Sequence, residues 1–269
     1  MSGAVFRETL HRTFGQTLLW AAGLGFLAMT IVLIVPTVDM MAFVGLLEGM
    51  PEFMRSALGV GDNAMVITTP EGFVAVGFFG KLALILAAYP VVMGLHVTAN
   101  EEEDGILDML LSMPVARWRV VVEKLAAFAL SIVVIAVVVF VGMWLGTVIT
   151  AVTLDLGLMA QLVVNVLPVL LLILALTALA GAVLRRRRDA LAAATVFVLG
   201  SFMLDTIGSM GAGSLAENLR YLSVFSAANA VSVIQNGGLP WATIALLLAI
   251  ALALSGGAVW AFQRRDVGL

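Results

Sequence analysis

Five carboxylates crowd a short stretch of this chain: Glu101, Glu102, Glu103, Asp104 and Asp108. Glu123 closes the same stretch, which also carries three bases, Arg117, Arg119 and Lys124. Carboxylates at this spacing display charge to a partner. They do not form a metal site with the two histidines, because His11 and His96 are isolated and far apart. Two further polar residues stand inside apolar runs, Asn165 and Asp205, with Gln161 and Lys81 nearer the ends of theirs. Ionisable or polar groups at membrane depth are costly and mark transport paths unless they bond a neighbouring helix. Asn165 and Asp205 are therefore the candidates for a substrate path.

Other motifs fail on their chemistry. "GVGD" at 59–62 has the Gly-x-Gly-Asp pattern of intramembrane aspartyl proteolysis, which needs two facing carboxylates in different protonation states. Asp62 lies in a loop, between Gly61 and Asn63, and neither Tyr89 nor Tyr221 precedes an aspartate, so GVGDN reads as a turn. "GFFGK" at 77–81 ends like a phosphate loop but lacks its first glycine, and Leu82 stands where the Mg²⁺-binding hydroxyl belongs. No serine occupies a Gly-x-Ser-x-Gly elbow. The residues support neither a catalytic site nor a metal site, and no cofactor is expected on this chain.

The elements that must carry these residues follow from composition. The chain of 269 residues is 62% hydrophobic and 12% charged, against roughly half and a quarter for a soluble domain. So little polar surface cannot cover a globule in water, and the fold class is all-α integral membrane. The absence of cysteine excludes a disulfide-stapled outer domain, and no basic patch interleaved with aromatics suggests nucleic acid. About 20 apolar residues cross a hydrocarbon core of about 30 Å. Six runs qualify, at 17–38, 73–99, 125–150, 161–184, 189–208 and 240–262, in a single domain over 1–269.

Cation placement orients them. With both termini cytoplasmic, the inner side holds Arg7, Arg12, Arg117, Arg119, Lys124, Arg185–Arg188, Arg264 and Arg265, eleven of the 14 Lys and Arg residues. Only Arg55, Lys81 and Arg220 are left for the outer side or the spans, a strong positive-inside bias. Segment 43–58, broken at Gly49-Met50-Pro51, and segment 215–235 both read as short interfacial helices of the first and last outer loops. Arg185–Arg188 reads as a topology anchor against lipid headgroups. Small residues in span one (Ala21, Ala22, Gly23, Gly25) and span five (Ala190, Ala192, Ala193, Ala194) are candidate faces for a second copy.

On a helical wheel, Asp104, Asp108 and Ser112 fall on one side of 104–113, and Ile106, Met109, Leu110 and Met113 on the other. Asn100 and Glu103 suit a cap, and Pro114 ends the helix before a new one starts at 117–119. An in-plane helix with acids turned to the cytosol is a docking surface. A loop that served only topology would be basic at this place.

"EEEDGILDMLLSMPVARWRVVVEK" resembles the cytoplasmic segment of ABC-2 type transporter permeases. Glu101, Glu102, Glu103, Gly105, Leu107, Asp108, Leu110, Leu111, Pro114, Val115 and Arg117 match its pattern, and Ile106 and Ala116 replace the usual Thr and Ser. "MPEFMRSALG", "TTPEGF", "LRYLS" and "FQRRDVGL" extend the likeness along the chain, with Val224 where a Pro is usual. The resemblance implies a permease subunit working as two copies beside two copies of a cytosolic ATPase, which holds the ATP and Mg. It also implies a coupling helix between spans two and three, formed by Glu101, Glu102, Glu103, Asp104, Gly105, Leu107, Asp108, Leu111, Pro114 and Arg117. The implied setting is a prokaryotic cell membrane, and the greasy spans favour export of an apolar or amphipathic cargo. The competing reading is an ion-coupled secondary transporter or a non-transporting scaffold, which midplane ionisable pairs would favour.

Overall fold

The computed structural model describes residues 3–51, 54–55, 64–80, 82–99, 116–184, 186–209 and 220–264. The elements are α1 (Ala4–Ile34), α2 (Met40–Glu48), α3 (Pro70–Val74), α4 (Ala83–Leu95), α5 (Arg117–Thr150), α6 (Leu156–Val183), α7 (Arg187–Ser209), α8 (Val224–Ala227), α9 (Ala230–Asn236) and α10 (Trp241–Arg264). Among the described residues, six helical stretches are long and apolar enough to cross a membrane, α3 to α4 counting as one.

Local chemistry sets several of the boundaries. Asp39 caps α2 by accepting from the Met41 and Ala42 N–H groups, both at 3.1 Å. Thr69 accepts from the Gly72 N–H at 3.1 Å, with Pro70 in the first helical position, where its missing N–H costs nothing. Ala151, at φ 55°, ends α5, and Asp155 opens α6 by accepting from Gly157 and Leu158 at 2.8 and 3.1 Å. Each cap satisfies amides that have no partner within their own helix.

Two spans start eight or more residues before their apolar runs. α1 begins at Ala4 rather than at 17, because Arg7, Glu8, His11 and Arg12 interrupt the hydropathy but not the helix. α5 begins at Arg117, eight residues before its apolar run. At 31 and 34 residues, these helices are about 46 and 51 Å long at 1.5 Å per residue, longer than the hydrocarbon core. Span two departs the other way. Between α3 and α4 it passes through a π-helical stretch, Ala75–Gly80, and Pro90 lies inside α4. The π stretch is not visible in an apolar run, since it changes backbone hydrogen bonding without changing hydropathy.

α6 is the hub, packed against α4, α5, α7 and α10. Its most apolar 18-residue stretch is 72% buried, against 22% for those of α7 and α10. The closest pair is α1 with α5. Gly25 faces Val138 and Gly142, and a Cβ on Gly142 would fall on the Gly25 carbonyl oxygen. Gly146, one turn on, meets Val32 in the same way. Gly142-x-x-x-Gly146 is thus a small-residue crossing made inside one chain. This corrects the reading of Ala21 and Gly25 as a face for a second copy, since both are buried against α5 or its neighbours. Ala190 and Ala194 of α7 are likewise covered within the chain, and Ala192 and Ala193 stay exposed.

Short helices stand between the spans: α2 between α1 and α3, and the pair α8 and α9 between α7 and α10. The latter pair goes deeper than a surface helix. Phe225 and Ala228 join a buried cluster with α4, α6, α7 and α10, and Val233 packs in the main core beside the π stretch.

Candidate functional site

The start of α1 and the start of α5 lie at one end of the bundle. Glu123, at the start of α5, accepts from the Gly3 and Phe6 N–H groups of the first turn of α1, both at 3.1 Å. Lys124 Nζ reaches back to the carbonyls of His96 and Val97, just past α4, at 3.4 and 3.5 Å. Beside them, Leu95 and Ala99 pack with Ala190 and Leu184. Gly181 lets α6 approach Thr98 and Ala99. The end therefore collects Arg7, Arg12, Arg117, Arg119, Lys124, Arg186–Arg188 and Arg264, as the alternation of spans requires.

The acidic segment joins α4 to α5 at this end. Its named residues Glu101, Glu102, Glu103, Asp104, Gly105, Leu107, Asp108, Leu111 and Pro114 lie outside the described residues. Arg117 is described, as the first residue of α5. Trp118 follows it, exposed, with the Arg119 guanidinium 5.4 Å from its ring centre. Sequence reasoning counted Glu123 and Lys124 as members of a charge cluster and gave them no task. The available signal was an acid and a base side by side at the mouth of an apolar run, "VVVEKLAAF".

In the first half of α6 stands Asn165, which is 2% exposed. Its Oδ1 has no hydrogen-bond partner among the described residues, and neither has the buried Oε1 of Gln161, one turn earlier. Two acceptors at i and i+4 share a helix face. Val169 and Leu172, on that face, pack in the cluster that holds Phe225 and Ala228. A buried acceptor left unpaired costs about 1–3 kcal/mol. Asn165 is thus not explained by interhelical hydrogen bonding in this conformation.

Asp205 has a partner. Arg220 Nε lies 3.2 Å from its Oδ1, with both side chains about one-third exposed. One turn deeper on α7, Ser201 anchors the inserted loop: its Oγ accepts from the Val224 N–H at 2.9 Å, and Ser223 Oγ donates to its carbonyl at 2.7 Å. Ser223 also caps α8. Asp205 and Asn165 are therefore not brought together as a pair. Asp205 belongs to the hold on the inserted loop, and Asn165 is an unpaired group in the hub.

A small cavity opens between α1, α4, α5 and α6, beside the π stretch. Phe78, Phe79, Tyr89, Pro90 and Ile135 are among its walls, and its volume is about 20 Å³. That is room for about one water. Tyr89 OH is bonded to Thr17 Oγ1 at 3.0 Å, which ties span two to span one at this level.

No curated protein matches the chain. Residues 14–267 match the family model described as ABC-2 family transporter protein. That match takes in the six apolar runs, the acidic segment, the clamped start of α5 and the inserted loop between α7 and α10. The chain belongs to the ABC-2 family of transporter membrane proteins.

Proposed function

We propose that this chain is the permease subunit of an ATP-driven exporter, coupled through residues 100–124 to a separate cytosolic ATPase. The observation that carries the reading is positional. The acidic segment joins two spans at the end of the bundle that gathers the arginines, and it runs directly into a helix too long to end inside the membrane. That end faces the cytoplasm by the positive-inside bias, so the acids are offered to a cytosolic partner. Two copies of the chain pair with two copies of the ATPase, which binds ATP and Mg. The membrane is that of a prokaryotic cell, and the cargo is apolar or amphipathic, in keeping with the apolar spans. Asn165 stands on the cargo path as an acceptor for a donor group that passes it. The ion-coupled reading keeps only Asn165 in its favour, because Asp205 is spoken for by Arg220.

Charge reversal at Glu102 together with Asp108 tests the docking. Like charges forced together across a docked interface cost several kcal/mol, whereas charges facing water leave the membrane fold alone. The double variant should insert and dimerise normally, yet lose co-purifying ATPase and permease-stimulated ATP hydrolysis. Full ATPase binding and stimulation by that variant would sink the coupling assignment.

A further inference from the structure

Glu123 and Lys124 are neighbours on α5, and their side chains leave the helix about 100° apart. One turn of α5 thus grips two other helices. The Glu123 carboxylate covers first-turn amides of α1, the positive end of that helix dipole. The Lys124 ammonium covers carbonyls just beyond the last turn of α4, the negative end. At 3.4 and 3.5 Å these contacts are long for hydrogen bonds, so the interaction is chiefly charge against helix end. Each charge has the sign that its helix end attracts. A lysine serving only as a topology anchor snorkels to the headgroups and stays wet. Lys124 is 3% exposed, and Val120 and Val121 beside it are buried as well.

We propose that Glu123 and Lys124 are the transmission joint of the permease, the positioning residues that pass a displacement of the acidic segment to spans one and two together. The proposal rests on the functional reading above. α5 is a continuous helix from Arg117, so a push on its first turn reaches the two contacts about 10 Å further on with the helix rigid between. Spans one and two are also joined directly, by the hydrogen bond between Thr17 and Tyr89.

The test uses the full chain reconstituted with its ATPase. E123Q, K124M and the conservative K124R are compared with the unaltered chain, each in a background with one cysteine at Thr37, the exposed outer end of span one. The ATPase should co-purify with every variant. In E123Q and K124M, stimulated hydrolysis should fall about tenfold, the worth of one charge-assisted contact. Nucleotide-dependent labelling of the Thr37 position by an impermeant maleimide should vanish with it. K124R should restore both. Unaltered hydrolysis and labelling would overturn the joint. So would loss of the ATPase, which would make these residues part of the docking surface, and so would failure to insert, which would make them packing only. If the unaltered chain draws no ATPase, the functional reading falls. The joint is then judged by amide hydrogen exchange, where E123Q should speed exchange at Phe6 about tenfold, and an unchanged rate would overturn it.

Discussion

The two ends of the bundle solve one problem in different ways. Helix ends leave backbone groups without partners, and near lipid there is no water to serve them. At the arginine-rich end, charged side chains are placed on helix termini: Glu123 on α1 and Lys124 beyond α4. At the opposite end, an inserted loop does the work through side chains, with Ser201 and Ser223 bonded to each other and Asp205 paired with Arg220. Glu71 adds a bond to the Asp155 N–H at 3.0 Å. The first solution binds two helices, α1 and α4, to one turn of α5. The second leaves Gln161 Oε1, Asn165 Oδ1 and Thr206 Oγ1 unpaired among the described residues, and the first leaves Thr98 Oγ1. The difference teaches that charges set against helix ends join the spans at one end, and side-chain bonds to an inserted loop join them at the other.

The sharpest way to break the comparison is to separate α1 from α5, since both ends depend on that crossing. Gly142→Leu puts a side chain where the Gly25 backbone sits. Overpacking of this kind costs about 3 kcal/mol, and the variant should unfold at markedly lower temperature in detergent, with loss of ATPase stimulation. Gly23→Leu, where a Cβ meets nothing within 4 Å, is the control and should be near neutral.

A smaller effect, opposite in sign, is expected at the hub. Asn165→Leu removes an unpaired buried acceptor at similar volume, and should stabilise the chain by about 1 kcal/mol in thermal unfolding. If Asn165 serves the cargo path, the same variant should lose transport while gaining stability. Destabilisation would show that Asn165 has a partner in the working protein and is structural.

The smallest effect concerns the outer ion pair. Because Asp205 and Arg220 are each about one-third exposed, a double-mutant cycle of D205N and R220Q should give a coupling below about 1 kcal/mol. The contrast predicted is with Ser201→Ala, which strips the Val224 N–H of its acceptor and should cost more. A larger coupling for the ion pair than for the serine would reverse the account of what holds the loop.

Much of this was legible in the residues and some was not. Apolar runs located all six spans, but hydropathy could not see that α1 starts at Ala4, because charged residues are good helix formers outside the lipid. Asp205 was legible as a polar residue near the outer end of its span. Its partner was not, since Arg220 arrives on a loop that composition placed merely at the surface. The small residues of span one were legible as a packing face, and their partner turned out to be α5 of the same chain, whose Gly142 and Gly146 went unread. The π stretch left only Gly77 and Gly80 as signs, and glycines fit many structures.

By itself, the sequence determined the class of the molecule, the number of its spans, their alternation and the family to which it belongs. These follow from quantities that add up along the chain: apolar length, the distribution of charge, and the spacing of an acidic motif. Only the tertiary structure decided which groups meet. Glu123 and Lys124 lie side by side in the chain yet serve helix ends that begin 120 and 28 residues away, and Asn165 is isolated because of what packs around α6. Partnership depends on distances of a few ångströms between segments remote in sequence, and no periodicity along one segment encodes the identity of the other.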